Sequence, residues 1–238
     1  MEKTAKRDLK ITGSGGSGGG LFHKVSIRGE GSVTGDLDCV EFKTFGEGRV
    51  NGHVKSESFH ISGSSAIQGD LKAEKMKVLG SSEVEGNVLS REVTIRGAMS
   101  VAGNLTGEHI SVKGGLTVKG DCEAEIFEAK GKFNIGGLLH AEHVDIRLKD
   151  SNKVKEIGGR QIKVEKDNGL FGLGNHSKAV RLTVDIIDGD EIDLEYTKAE
   201  VVRGNNVHIG PGCEIQLLEY QGQYRQAKDA EVKEYRKL

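Results

Sequence analysis

The residues that could do metal or redox chemistry are three cysteines and eight histidines. Cys39, Cys122 and Cys213 are widely spaced and form no CxxC pair. In the repeat described below, Cys39 and Cys122 lie five coils apart, about 24 Å at the spacing of neighbouring strands. A disulfide requires Cα atoms within about 7 Å. The spacing therefore predicts buried core thiols.

The histidines include the pair His140-x-x-His143, whose spacing could suit a metal. In the register of the repeat, His60 and His140 lie between inward positions and should point outward. His109 and His143 share a column but are two coils apart, about 10 Å. That separation is too large for two zinc bonds of about 2 Å. The pattern predicts no metal site.

Two segments resemble motifs of catalytic or nucleotide-binding proteins. The string GSGGSG at 13–18 matches GxGxxG, but no strand precedes it and no helix follows, so it predicts a flexible linker. No P-loop string occurs and no cofactor is expected. The segment 207–215 (VHIGPGCEI) looks like one hexapeptide-type coil, and an acyltransferase of that type stays open as an alternative. No nucleophile–base pair can be assigned.

A stripe of glutamates recurs at a fixed interval along the sequence and is interrupted by Arg91. Its members are Glu57, Glu74, Glu108, Glu125 and Glu142. Stacked like charges repel one another. The stripe therefore indicates either a solvated corner or a face that binds a partner.

The interval is seventeen residues, and two glycine columns define it. The first column is Gly29, Gly46, Gly63, Gly80, Gly97, Gly114 and Gly131. The second column is Gly35, Gly52, Gly69, Gly86, Gly103, Gly120 and Gly137. Seven successive matches in both columns indicate a repeat architecture with glycine at two corners of each coil.

Apolar residues keep the same register and fall in pairs two positions apart. In the first repeat the inward pairs are 25 and 27, 31 and 33, and 37 and 39. A period of two is that of a strand, and no helical period is present. Each repeat is therefore predicted to form three short strands. The chain is predicted to be an all-β, triangular β-solenoid of seven coils. Stability in such a stack grows with coil number, and both ends are open edges unless they are capped.

The repeat stops near Leu148, where the next glycine is expected. The pattern predicts a tail at 1–21, a β-helix at 22–147, an insertion or linker at 148–178, a shorter second β-solenoid section at 179–220 and a charged tail at 221–238. The last segment is expected to be frayed or helical, and the stretch 167–178 to be a loop.

Composition narrows the class of protein further. The 34 basic and 36 acidic residues give a net charge of −2, which does not favour nucleic-acid binding. The sequence contains no apolar run long enough for a membrane span and no secretory signal pattern. We therefore expect a cytoplasmic protein.

Coils such as residues 61–74 (ISGSSAIQGDLKAE) resemble those of the bactofilins, bacterial polymer-forming cytoskeletal proteins. The resemblance covers about Phe22 to Glu142, and residues 196–220 look like the C-terminal part of longer members. It implies a right-handed β-helix that assembles end to end into apolar filaments without nucleotide and serves as a scaffold for cell shape, envelope synthesis or protein positioning. Many members carry proline-rich tails and a short membrane-binding segment. Here the only proline is Pro211, and residues 1–20 do not favour direct membrane binding.

The expected partner is the chain itself, together with other bactofilin-like chains or client proteins. The second section could cap one end of the β-helix. The polymer contacts predicted from the sequence are Phe22, Val25, Ile27, Phe127, Phe133, Leu138 and Leu139. A non-polymerising adaptor that recruits partners on its outer face is a further alternative.

Overall fold

The computed structural model describes residues 7–167 and 180–238. Within these ranges every regular element is a β-strand, paired in parallel, and none is a helix. The chain divides into two compact units. Unit 1 comprises Met1–Glu108 and Gly114–Val118, and unit 2 comprises His109–Lys113 and Lys119–Leu238. Both units are β-solenoids, and their turns add up to about 12. This confirms the predicted fold class.

Unit 1 repeats with a constant register of seventeen residues. Val33 pairs with Val50 and Val54 with Leu71, and the same offset recurs in the following strands. Numbered in chain order, the strands of unit 1 are β1 (Arg7–Thr44), β2 (Glu47–Asn51), β3 (Val54–Ile61), β4 (Ser64–Ile67), β5 (Leu71–Val78), β6 (Ser81–Val84), β7 (Val88–Ile95), β8 (Ala98–Val101), β9 (Leu105–Thr106) and β11 (Gly115–Val118).

Unit 2 has the same parallel stacking with coils of changing length. One inward column runs from Ile146 to Val164, Leu194, Ile209 and Gln226, so the offset changes from eighteen to thirty, fifteen and seventeen residues. The strands of unit 2 are β10 (His109–Val112), β12 (Cys122–Ala129), β13 (Lys132–Leu148), β14 (Asn152–Lys166), β15 (Leu182–Leu194), β16 (Thr197–Ile209), β17 (Glu214–Tyr220), β18 (Tyr224–Gln226) and β19 (Glu231–Lys237).

The core of each unit consists of stacked columns of inward side chains. In unit 1 the rings of Phe42 and Phe59 stack face to face, with centroids 4.9 Å apart. In unit 2 Phe127 and Phe133 meet edge to face at 5.6 Å. All four rings are at most 1% exposed. Burying each such side chain contributes about 1.5–3 kcal/mol, so neighbouring coils stabilise one another through these columns.

The first glycine column marks a corner where successive coils approach too closely for any side chain. A Cβ placed on Gly80, Gly97 or Gly114 would lie 1.9 Å from the carbonyl oxygen of the glycine one coil earlier. Atoms this close overlap, and the obstacle is backbone, which cannot rotate away. Close approach between coils therefore requires glycine at this corner.

The second corner is held by a ladder of side-chain to backbone hydrogen bonds. The backbone N–H of His53 donates to Asp36 Oδ1 at 2.8 Å, and that of Asn87 donates to Asp70 Oδ1 at 2.7 Å. The backbone N–H of Asn104 donates to Asn87 Oδ1 at 2.9 Å. The bond from Asn87 holds the pKa of Asp70 below its ordinary value. Each rung satisfies a turn amide that no strand partner reaches.

The structure differs from the sequence prediction at both ends of the chain. The Gly/Ser-rich tract, expected to be a flexible linker, lies within β1, and the charged C-terminal segment forms β18 and β19. Fifteen of the 31 residues of the predicted linker form β14. These segments lack the seventeen-residue apolar pattern, yet each pairs with an adjacent coil and so satisfies its backbone in a ladder. The loop expected at 167–178 falls, apart from Asp167, outside the described residues.

Two adjacent glycines test the close approach. Gly114→Ala should lower the free energy of unfolding by about 3 kcal/mol, the upper range for overpacking, because its Cβ would overlap the Gly97 carbonyl. Gly115→Ala is the matched control. No atom lies within 4 Å of its added Cβ, so stability should hold or rise by up to about 1 kcal/mol. Urea unfolding followed by circular dichroism would measure both, and equal losses would contradict the corner argument.

Candidate functional site: the terminal coils

The last coil of unit 2 ends in an aromatic cluster. It is built by β18, which pairs with β16, and by β19, which pairs with β17. The ring of Tyr224 lies 5.5 Å from that of Tyr220 and 5.5 Å from that of Tyr235. Burial, together with these two neighbouring tyrosines, raises the pKa of Tyr224. These rings lie where the stacked core of unit 2 reaches its last coil.

One inward column shows directly that the core is open at this end. The column passes through Ile157, Ile187, Val202 and Leu218, which are at most 1% exposed, and ends at Tyr235, which is 63% exposed. A tyrosine in a covered coil would be buried like the residues before it. The last coil therefore presents core positions to solvent.

A charged cluster ties the last strand to the two strands before it. Glu219 is 5% exposed, and its carboxylate accepts hydrogen bonds from Arg203 Nε at 2.5 Å and Arg236 Nε at 2.7 Å. A second bond comes from Arg236 Nη2. Hydrogen bonds from Arg203 and then Arg236 hold the pKa of Glu219 below its ordinary value. The cluster fixes β19 in register on β17.

The first coil of unit 1 is the N-terminal part of β1, residues 7–20. It stacks on the next coil with an offset of about sixteen residues. A Cβ on Gly29 would meet the Gly13 carbonyl oxygen at 2.4 Å, and one on Gly16 would meet Ser32 Oγ at 3.1 Å. Ile11 is 7% exposed and is the fully inward apolar residue of this coil. Six of the fourteen residues of this coil are glycine, so its second half presents backbone with few side chains.

Of the seven polymer contacts predicted from the sequence, Phe22 adjoins the first coil and the other six lie in interior coils. Ile110 and Val144 flank Phe127 on neighbouring strands, and Cys122 and Ile157 flank Leu139 in the same way. In unit 1 the guanidinium of Arg7 lies over the Phe22 ring at 5.5 Å. A Cβ on Gly31 would lie between Ile27 and Ile11. Six of the seven are at most 2% exposed, and the exception, Leu138, is 37% exposed.

The exposed residues of the first and last coils do not follow the seventeen-residue period, so that period does not predict them. A signal was present, since Ile11-x-Gly13 repeats as Ile27-x-Gly29 with an offset of sixteen rather than seventeen. At the other end, Val232 and Tyr235 are spaced like the buried pair Ile215 and Leu218. Comparison with variable coil lengths would have found both coils.

The three cysteines considered for chemistry are buried. Burial raises the pKa of the Cys122 thiol to about 12 and that of Cys213 to about 11. His208 Nδ1 lies 2.8 Å from Asp193 Oδ1 on the exposed face, whereas Cys213 points into the core. His140 is exposed, as the register predicts. Within residues 7–167 and 180–238, no three His, Cys, Asp or Glu side chains could together hold a metal ion.

Two polar surfaces lie on the outside of the units. The glutamate stripe is exposed in both units, with Glu125 and Glu142 in unit 2 and its other members in unit 1. In unit 1 Arg91 Nε lies 3.7 Å from Glu74 Oε2, which reduces the repulsion there. In unit 2 a groove of about 620 Å³ is lined by polar side chains that include Lys163, Asp193, His208 and Arg225. The adaptor alternative would depend on such surfaces.

Parallel coils stacked in this way define a repeat protein of the β-solenoid class. Residues 24–123 match the bactofilin family, described as polymer-forming cytoskeletal. The match confirms, over those residues, the resemblance seen in the repeat. The family is a structural one.

Two relatives come from Bacillus subtilis (strain 168), and both are uncharacterized. YhbE is 40% identical over 102 residues, which is 42% of this chain and 43% of YhbE. YhbF is 38% identical over 102 residues, 42% of each chain. The match thus covers less than half the length of these relatives. No solved structure matches, and no helix in the described ranges could span a membrane.

The buried thiols allow a simple test of the core. All three cysteines should fail to react with a thiol reagent at pH 8 in the native protein and react fully in guanidinium. All three are buried from the reagent, and burial also raises the pKa of Cys122 and Cys213. Ser64→Cys, at an exposed position, is the positive control for native labelling. Rapid native labelling of the unaltered chain would contradict the packing.

The Glu219 cluster predicts a pH dependence for β19. Because its folded pKa lies below the ordinary 4.5, Glu219 stabilises the last coil above the unfolded pKa, and this contribution is lost as pH falls through the folded pKa. Glu219→Gln should lower the hydrogen-exchange protection of amides 231–237 at neutral pH. In the unaltered chain this protection should fall as the pH is lowered, and in the variant most of that fall should be absent. The exposed Glu231→Gln is the control. Equal protection in the two variants would contradict the role of the cluster.

Proposed function

We propose that this chain is a self-polymerising cytoskeletal scaffold whose subunits associate through their terminal coils without nucleotide. The observation that carries the proposal is Tyr235, a core position of the last coil that is 63% exposed above a column of buried residues. The bactofilin segment at 24–123 supports it, because that family is described as polymer-forming.

The driving force is completion of the core. A large aromatic side chain buries about 150–250 Å² when it is covered. Stacking another coil on β19 would cover Tyr235 and Val232 and would also pair backbone groups along the strand. The charged side chains of β19, among them Lys233 and Lys237, disfavour pairing in other registers, since charges on edge strands oppose unspecific association.

Six of the seven contacts predicted from the sequence lie in interior coils. Residues such as Phe127 and Leu139 have coils on both sides, so their role is to hold the coil stack together. We assign the polymer contacts instead to the first coil, 7–20, and to the last coil, 222–238. The C-terminal coils then extend the solenoid and do not cap it.

A scaffold of this kind needs no cofactor, and its main partner is another copy of the chain. The GxGxxG string lies within β1 rather than at a strand–helix turn, which removes the geometry that a dinucleotide requires. Other bactofilin-like chains and client proteins bound to the outer faces are further partners that we propose. We also propose a cytoplasmic location and a role in positioning proteins or supporting the cell envelope.

Substitution at Tyr235 tests the proposal. Tyr235→Glu should abolish filaments, because completing the core would then bury an unpaired charge. Tyr235→Phe should preserve them, because it keeps the ring. Negative-stain microscopy and sedimentation of protein purified without nucleotide would measure both, with circular dichroism as the check on folding. Filaments of normal yield from folded Tyr235→Glu, or none from the unaltered chain, would refute the proposal.

A further inference from the structure

We infer that unit 1 carries a docking ridge for an acidic, amphipathic helix of a partner protein, along the corner where the first glycine column lies. This inference rests on the proposed function, because it specifies a surface through which the scaffold would bind a client. It comes from the order of residue types along this corner and from the constant spacing of the coils.

The ridge is one outward column of side chains that recurs every seventeen residues. Its backbone stacks coil on coil: the N–H of Phe45 donates to the Ile27 carbonyl at 2.9 Å, and that of Leu79 donates to the Ile61 carbonyl at 2.7 Å. In chain order the members of the ridge are Arg28, Phe45, Ser62, Leu79 and Arg96, and all five are exposed. Neighbouring members are therefore about 4.8 Å apart along the stack.

Two large apolar side chains of the ridge face solvent. Phe45 is 50% exposed and Leu79 is 39% exposed. Single exposed apolar residues are common on protein surfaces and need no explanation. Here two of them lie in one column, two coils apart, and an arginine stands at each end of the column. Exposed apolar groups with a polar rim are typical of protein-binding sites.

The two arginines that end the ridge are not neutralised within the chain. Among the residues that the structure describes, neither guanidinium lies within 4.0 Å of a carboxylate. The Arg28 guanidinium lies over the Phe45 ring, 5.2 Å from its centroid. Lys77, two residues before Leu79, likewise has no carboxylate partner in the described part of the chain. An acidic partner would supply the complementary charge.

The pKa of His60 reports a positive potential beside the ridge. His60 lies between Lys43 and Lys77 on the neighbouring coils. Its partial burial, and then the charges of Lys77 and Lys43, hold the pKa of His60 below its ordinary value. Glu41 acts in the opposite direction and is the smallest of these influences. A surface with this potential attracts carboxylates.

The glycine column gives the ridge an open flank. Each ridge residue is followed directly by a corner glycine, from Gly29 to Gly97, so no side chain stands on that side. The residues that follow the last three of these glycines are also small, namely Ser64, Ser81 and Ala98. A rod-shaped ligand can therefore lie along the column, against the two apolar side chains.

The spacing along the ridge matches an α-helix that lies parallel to the stack. From one arginine to the other, the steps between charged and apolar members are one, two and one coils, or about 4.8, 9.6 and 4.8 Å. In an α-helix, steps of three, seven and three residues rise about 4.5, 10.5 and 4.5 Å and keep the four side chains on one face. An extended strand places same-face residues about 6.6 Å apart, which fits none of these distances. The expected helix has two apolar residues seven positions apart, with an acidic residue three positions outside each of them.

A helix suits the ridge better than a lipid surface does. A membrane is a wide plane, and it would also meet the carboxylates of Glu41 and Glu92, which precede Phe45 and Arg96 by four residues. Four residues of a strand span about 13 Å. A helix with its side chains is about 10–12 Å across, so a helix centred on the ridge does not reach these carboxylates.

The test uses a helical peptide of fourteen residues, held in shape by a side-chain staple on its outer face. It carries glutamate at its first and last positions, leucine at its fourth and eleventh positions, and alanine or glutamine elsewhere. Fluorescence anisotropy of the labelled peptide should show saturable binding to the unaltered chain that weakens as salt is raised. A control peptide of the same composition has its second leucine at the ninth position, on a different helix face, and should bind about tenfold more weakly.

Two exposed leucines provide matched variants of the protein. Leu79→Ser removes an apolar side chain of the ridge and should weaken peptide binding about tenfold. Leu89→Ser is the control, because Leu89 is 45% exposed but lies in another column, that of Lys72. Arg96→Glu should weaken binding more than Lys72→Glu, because it sets a like charge against one acidic end of the peptide. Circular dichroism checks the folding of each variant, and microscopy records its filaments.

The outcomes separate the docking ridge from the proposed scaffold. Equal losses from Leu79→Ser and Leu89→Ser, or equal binding of the two peptides, would overturn the ridge. Binding of the unaltered chain to phosphatidylglycerol vesicles and not to the peptide would assign the surface to a membrane and also overturn it. Filaments that do not bind the peptide would overturn the ridge and leave the scaffold intact. Peptide binding with the expected variant pattern, by a chain that forms no filaments, would support the ridge and refute the scaffold.

Discussion

The close approach of successive coils at the glycine corners is the constraint on which the rest of the structure depends. At this corner a Cβ would lie about 2 Å from the carbonyl oxygen of the preceding coil, as at Gly63, so each coil must follow the path of the one before it. Once the path is shared, inward side chains align in columns and the Asp/Asn side chains of the other corner reach the next turn amide. Packing and hydrogen bonding are consequences of that shared path.

The same stacking explains why the candidate site lies at the ends. An interior coil has its backbone and its inward side chains satisfied by two neighbours, whereas a terminal coil has one. The two ends differ because one finishes in tyrosines and the other in glycines. In the proposed scaffold, assembly would therefore depend on which residues occupy the inward positions of the first and last coils, and it would require no cavity or reactive cluster.

The sequence predicts the interior of the fold well and its ends poorly. Inward columns such as Val33 and Val50 are apolar because both sides of each residue are covered, and that pattern is visible as periodicity. In the first coil Ser17 occupies the same column, because a residue with one neighbour need not be apolar. The predicted contacts at Phe127 and Leu139 rested on the most apolar positions, which are the most deeply buried ones. The variable coil lengths of unit 2 also obscured β14.

The constant register of unit 1 also has a consequence for how such a gene can change. Each coil corresponds to seventeen codons and meets its neighbours through the same corner glycines and the same columns. An in-frame tandem duplication of that length would add one coil, about 4.8 Å along the stack, and leave the residues of both ends untouched. The number of coils and the residues of the terminal coils can therefore evolve independently of each other.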